Sequence, residues 1–431
     1  MFTVNKPPPR SNGATQSPFT VASQVGRLQA ISFLFTLSFS LTSLAPAPAL
    51  ISAMGAEKAT TILSFVTGCG ALTEILFSSA VGSLVDGTGR KPTFCVITTS
   101  VALLNALVVL WHGKSVPAAL CVSKFFSTLA FSIFALTSQA MLSDMSQEVP
   151  HSEKWLSATL GVNVALGSLG FLLGVLGAGV LSDKAGLPVI FGASAALAAV
   201  ASILAILFLP ETLPTEKRTA STESTTKFMD RFKQILLTPL SSAKLLYRHG
   251  AEVRILAILL MLLTLPMYLG DMFQVYTRQE WNLDTKSYSG FLALYGFINI
   301  FANGCGGLLI KKMGTKRFTL LAIFSRIVST AGTAFFGYKG AVAGVLIGFL
   351  GAAQSIGIIA ALVSAGTKSG FPQGELAGER ASLMALLKVI GPLLYSFLYI
   401  KGSSTFGAPN LPFLFNIGVC LLALVVAQMY L

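Results

Sequence analysis

The sequence predicts an all-α membrane protein of twelve transmembrane helices in two pseudo-symmetric halves of six. Three observations lead there. Hydrophobic residues make up 53% of the 431-residue chain and charged residues 11%, less than half the roughly 25% charge of a soluble domain. The apolar stretches are each about 20 residues long, enough to cross a bilayer as helices, and lack the short apolar/polar alternation of a membrane barrel. One loop sequence returns at an offset of 225 residues, as a duplicated unit requires.

Apolar runs punctuated by charge, Gly or Pro give spans near 28–50, 59–81, 93–111, 116–142, 156–181 and 188–209, then near 255–276, 287–310, 317–337, 341–365, 380–400 and 411–430. These define a first six-helix bundle at 27–210, a polar linker at 211–254 and a second bundle at 255–431. Residues 1–26 carry Pro7-Pro8-Pro9, several Ser and Thr, and no acid. That stretch has no apolar core of a signal peptide and is expected to be a disordered tail. Its acid-poor, basic composition also fits an organelle transit peptide, which the Pro run opposes because it breaks the needed amphipathic helix.

The net charge of +13 comes from 30 basic and 17 acidic residues. Twenty of the basic residues fall in the tail, the linker and the loops on the same face, seven fall on the opposite face and three fall inside spans. By the positive-inside rule both termini and the linker are expected in the cytoplasm, which accounts for the surplus without a nucleic-acid partner. Cys69, Cys95, Cys121, Cys305 and Cys420 lie in or beside apolar segments with no C-x-x-C pair, so neither a disulfide framework nor a zinc site is expected. His112, His151 and His249 all fall in expected loops, away from any metal or proton relay inside the membrane.

The repeated element is Gly82-Ser83-Leu84-Val85-Asp86-Gly87-Thr88-Gly89-Arg90-Lys91 between spans two and three, echoed by Gly307-Leu308-Leu309-Ile310-Lys311-Lys312-Met313-Gly314-Thr315-Lys316 between spans eight and nine. Glu153-Lys154 before span five and Glu379-Arg380 before span eleven give a second echo. Gly82 allows close helix approach and Gly89 allows a turn with positive φ. Asp86 is placed to accept bonds from a helix N-terminus or from Arg90; the bland alternative is a short basic loop obeying topology rules.

On these residues the sequence resembles the major facilitator superfamily, whose loop between spans two and three reads G-x-L-x-D-R-x-G-R-K/R. Gly82, Leu84, Asp86, Gly89, Arg90 and Lys91 match, while Gly87 stands where the family has a basic residue. Leu209-Pro210-Glu211-Thr212 is similar to the family's exit from its first half, and Asp144 to the acid of its Asp–Arg cluster. The resemblance implies twelve helices in two halves, transport of a small solute by alternating access, and a gating role for this loop. Lys124 resembles a basic residue that some proton-coupled members carry as Arg. Span five has Gly167, Gly170, Gly174, Gly177 and Gly179 without the Gly-Pro of the antiporter signature, so nothing marks the chain as an exporter; Gly170 and Gly174 still satisfy small-xxx-small packing.

Five ionisable residues lie inside spans, where they are costly and default to function: Glu74, Lys124, Asp271, Arg326 and Lys388. Glu74 lies eight residues before Gly82 and Lys388 eight after Arg380, so at 1.5 Å per residue both sit roughly 12 Å inside the cytoplasmic boundary. The resembled fold brings spans two and eleven together, and a Glu74 to Lys388 bridge is expected when the cytoplasmic side is closed; the alternative is that each snorkels separately. Lys124 is a candidate for binding an anion or influencing a proton carrier, with a backbone-carbonyl partner as the structural alternative. Asp271 lies beside Pro266 and Gly270, and the repeat offset pairs it with the Pro46-Ala47-Pro48 break of span one, so both spans are expected to bend there and gate the outer mouth. Arg326 falls on a span that the resembled fold puts at the periphery, which favours a structural role.

The expected function is secondary transport of a small solute, with an organic anion moved together with protons as its specific form; the alternative is a transporter-like receptor or scaffold. No G-x-x-x-x-G-K-[ST] loop and no H-E-x-x-H helix occurs, so neither ATP-driven pumping by this chain nor intramembrane hydrolysis is expected. The expected surroundings are a lipid bilayer, a small-molecule substrate and protons, with no cofactor and no metal, around a monomer.

Overall fold

The computed structural model describes residues 18–111, 116–146, 152–213, 244–247, 250–369 and 373–431. Among them the chain is helical, with no strand. Span one comprises Pro18–Ser43 and Pro46–Met54, span two Ala56–Thr88, span three Arg90–Leu110 and span four Val116–Ser146. Spans five and six share the continuous segment Ser152–Phe208, broken at Gly186, where φ is +73°. Span seven runs through Ala251–Thr264, a 3-10 turn at Leu265–Leu269, and Gly270–Glu280; span eight is Thr285–Met313. Thr315–Ile347 holds span nine and the start of span ten, separated at Gly337 (φ +61°), and span ten continues through Gln354–Lys368. Gln373–Lys401 and Leu411–Tyr430 are spans eleven and twelve. Eleven of these are long and apolar enough to cross a membrane among the described residues; the 33-residue helix Ala56–Thr88 takes the place of the remaining one. We call the face bearing Pro18 and Tyr430 the near face and its opposite the far face.

The helices outrun the apolar runs because hydropathy marks only the part in lipid. The largest difference is at the start. Span one begins at Pro18 rather than 27, so residues 18–26 are helix and not tail. Val21, Val25 and Leu28 recur at helical spacing and are all buried in the core of the first half, which holds this segment in place. Residues 1–17, most of the linker, and His112, His151 and His249 lie outside the described residues.

Within the first half, span five presses its glycines against span one. A Cβ on Gly174 would lie 1.8 Å from Ser40 Oγ and 2.6 Å from the Leu37 carbonyl oxygen, and one on Gly170 would lie 2.9 Å from the Phe33 carbonyl oxygen. Ser40 Oγ donates to the Gly170 carbonyl at 3.3 Å. The small-xxx-small pattern is therefore a helix-packing surface. A buried polar knot joins spans one, three and six: Ser38 Oγ donates to the Ser194 carbonyl and Ser194 Oγ to the Ser38 carbonyl, both at 2.8 Å, and Asn105 Nδ2 donates to Ser194 Oγ at 2.9 Å. Phe35 stacks on Phe134, and Phe94 meets Phe134 at a tilt.

The halves meet at the far face through an apolar seal. Ala47, Leu50, Ala59 and Leu63 from the first half share one buried cluster with Met272, Val275, Tyr276, Tyr395, Tyr399 and Phe413 from the second. Leu44 and Val175 pack on Tyr288 in a second cluster. Both expected bends are present. In span one Pro48 has no N–H to give the Leu44 carbonyl, and Gln274 Nε2 of span seven donates to that oxygen instead, at 2.7 Å.

Two outcomes follow. Gly174→Ala should lower the melting temperature of the purified protein, by an overpacking cost of about 1–3 kcal/mol, whereas Gly167→Ala, whose Cβ would meet nothing within 4 Å, should leave it unchanged or raise it. Ala47 is 1% exposed, so a cysteine there should resist an impermeant maleimide. Adding Gln274→Ala removes one hydrogen bond from the closed seal and should speed labelling about three- to tenfold.

Candidate functional site

The turn between spans two and three is built on Gly89, whose φ of 104° and ψ of 157° stop one helix and start the next. Gly314, its counterpart in the repeat, has φ 83° and ψ 159° and likewise opens span nine. The two halves thus use one backbone device at matching positions. Arg90 and Lys91 open span three without an acid in its first turn, leaving N–H groups that need an acceptor. Glu211, folding back from the end of span six, supplies it: the Arg90 N–H donates to Oε1 at 3.0 Å and the Lys91 N–H to Oε2 at 3.3 Å. Leu213 N–H also donates to Oε1, at 3.0 Å. Arg90 Nε pairs with Asp144 Oδ2 at 3.3 Å, and Thr212 Oγ1 donates to the same oxygen at 3.1 Å.

Spans three, four and six are thereby tied at the near face by two carboxylates. Glu211 caps the helix, and Asp144, expected from the resemblance, holds the arginine; the Asp86 side chain, expected in the same roles, and the surroundings of Gly82 lie outside the described residues. The signal for Glu211 was a basic helix start with no acid of its own, together with a carboxylate at the exit of span six.

At mid-depth two ion pairs cross between the halves. Lys388 Nζ of span eleven donates to Glu74 Oε2 of span two. The two helices pack closely here, since a Cβ on Gly68 would lie 3.5 Å from the Val389 carbonyl oxygen. The expected Glu74 to Lys388 pair is thus made in a structure whose far face is sealed. In the second pair Lys124 Nζ of span four donates to Asp271 Oδ1 of span seven, and Thr67 Oγ1 of span two donates to Oδ2. Both side chains are 17% exposed. The partner of Lys124 is thus a carboxylate of the other half and not a backbone carbonyl.

These three residues edge a cavity of about 220 Å³ whose wall also carries Thr42, Ser43, Ser123, Ser127 and Thr128, closed by Phe39 and Phe191. Ser127 Oγ is buried without a partner. The site offers one cation, one anion and several hydroxyls, which suits a small polar solute. A larger hollow of about 770 Å³ at the far end of the first half is lined mainly by Ala, Pro and aliphatic side chains and has no charged group. Arg326, expected at the periphery, instead lines a separate cavity inside the second half. Among the described residues no group of His, Cys, Asp and Glu has the arrangement of a metal site.

A family model for the Major Facilitator Superfamily matches residues 30–384. The chain belongs to that superfamily. Among curated relatives, a probable peptidoglycan muropeptide transporter of Drosophila melanogaster is 24% identical over 377 residues, covering 80% of this chain and 69% of the relative. The class B tetracycline resistance protein of Escherichia coli is 26% identical over 346 residues, covering 76% and 77%. Of solved structures, the human organic anion transporter MFSD10 (TETRAN) superposes with a TM-score of 0.65 at 21% identity, covering 96% of this chain and 100% of that one, a likeness of fold. This superfamily member is a multi-pass membrane protein of a transporter family, with twelve helices in two halves, as the repeat and the apolar runs imply.

The near-face cluster yields a stability test. Glu211→Ala should cost about 1–2 kcal/mol through loss of the helix cap, read as a lower melting temperature, while Glu211→Gln, which keeps one acceptor oxygen, should recover part of it.

Proposed function

We propose that the protein carries a small organic anion together with a proton across the membrane by alternating access, with Lys124 as the anion-binding group and Asp271 as the proton carrier. The observation behind this is the Lys124–Asp271 pair, which crosses between the halves at the wall of a polar cavity. While Asp271 is ionised it satisfies Lys124 and, with Thr67, ties span seven to spans two and four. Protonation of Asp271 cancels its charge and leaves the Lys124 ammonium facing the cavity, where the carboxylate of a substrate can replace the lost partner. Anion and proton then favour each other's binding by the same factor, since linkage is reciprocal.

The same event loosens the tie between the halves. Opening the far face also exposes the seal to water, at about 1.5–3 kcal/mol for each large apolar side chain uncovered, so substrate binding has to offset that cost. The Glu74–Lys388 pair is a second mid-depth link, and Gly89, Arg90, Lys91 and Asp144, together with Gly82 and Asp86, form the near-face gate in this reading. The charge bias of the loops supports a cytoplasmic near face, both termini and the linker included, and the two six-helix bundles on either side of the linker are the bodies that rock. A monomer suffices, because both pairs form within one chain.

Reconstituted in liposomes, the protein should take up radiolabelled organic anions faster when the substrate side is acidified. Lys124→Gln should lower that uptake about ten- to a hundredfold, and Asp271→Asn should leave residual uptake insensitive to pH. Transport of cations alone, or anion uptake indifferent to pH in the unmutated protein, overturns the proposal; absence of any flux points to a receptor or scaffold.

A further inference from the structure

The cation that the transport reading does not use is Arg326. It lies in span nine, where Arg326, Ser329, Thr330 and Thr333 follow the i, i+3, i+4, i+7 spacing of one helix face, and all four line a cavity of about 230 Å³ inside the second half. Arg326 Nη1 donates to the Tyr295 hydroxyl at 3.2 Å, while Nε is buried with no partner. Among the described residues no carboxylate pairs with this guanidinium, in contrast to Lys124 and Lys388. A buried ion left without a counter-charge is expensive, and a neutral phenol accepts a hydrogen bond without supplying a negative charge.

The rest of the wall has the opposite character. Phe273, Tyr288, Phe291 and Phe413 bring aromatic surface to the same cavity, with Phe273 at 5.8 Å from both Phe291 and Phe413 between ring centroids. The room corresponds to roughly eight waters, the scale of a one-ring molecule. The planar fork of arginine matches a carboxylate, and the rings match an apolar or aromatic body.

We propose that this cavity is a binding site for a small aromatic carboxylate, held at its anionic end by Arg326 and at its ring by the aromatic wall. The site is distinct from the Lys124 cavity and does not rest on the transport reading. Its position gives it leverage on the seal: Tyr288 has Leu44 and Val175 of the first half on one side and lines the cavity on the other, and Phe273 touches both the cavity and the seal. An occupant therefore braces the far face in its closed form.

The test is calorimetric titration of the purified full chain with benzoate, benzamide and benzylammonium. Benzoate is expected to bind and the neutral and cationic isosteres are not. Arg326→Gln should weaken benzoate about tenfold or more, the value of a charge-assisted hydrogen bond. Thr333→Leu keeps the guanidinium but fills the cavity, and should weaken benzoate similarly; it decides the matter if Arg326→Gln does not fold. The double variant Lys124→Gln, Asp271→Asn should keep benzoate affinity. The proposal is overturned if benzoate does not bind, if benzamide binds equally well, if benzoate binding survives either cavity variant in the double-variant background, or if the double variant alone abolishes it.

Discussion

A charge inside a bilayer has to be neutralised where it sits, and in this protein two of the three intramembrane cations are neutralised across the boundary between the halves. Lys124 meets Asp271 and Lys388 meets Glu74. Removing one partner from a buried pair leaves the other charge uncompensated at a cost of several kcal/mol, and the Lys124–Asp271 pair is the more buried of the two. The relative position of the halves and the ionic state of the core are therefore one variable. Any movement that separates the pairs has to bring in protons, ligand ions or water at the moment of separation.

Close helix approach through glycine serves both inside the first half and between the halves. Inside the first half, backbones touch: span five lies on span one through Gly170 and Gly174, and Ser38, Asn105 and Ser194 exchange buried hydrogen bonds. Such contacts are short, specific and hard to remake in a shifted register. Across the far face, aliphatics from the first half meet aromatics, Met272 and Val275 from the second, Gln274 makes a single hydrogen bond to the Leu44 carbonyl, and span five lies close on span eight, since a Cβ on Gly179 would come within 1.9 Å of Ser289 Oγ and 3.1 Å of Lys286 Cα.

Much of this was legible in the chain. Apolar runs located the spans, Gly89 and Gly314 announced their turns, Pro46 and Pro48 announced the break in span one, and equal depth paired Glu74 with Lys388. What escaped depended on helix rotation and on packing. Lys124 and Asp271 are 147 residues apart on helices whose facing is set by their neighbours. Arg326 sits on a visible polar stripe, yet only packing tells whether a stripe faces lipid, a neighbour or a cavity. The early start of span one was hidden because Val21 and Val25 are diluted by polar neighbours, although both are buried. Glu211 was hidden because a helix cap borrowed from another span leaves no local pattern.

The break in span one has a mechanical meaning. Its long segment, Pro18–Ser43, is clamped to span five, while its short segment, Pro46–Met54, packs both on its own half and on side chains of the other. An unbroken rod gripped at both ends by bodies that rotate apart would have to bend along its whole length or pull one end free. A rod already severed between Ser43 and Pro46 confines the distortion to two residues, so the two grips act as the arms of a hinge whose pin is a pair of prolines.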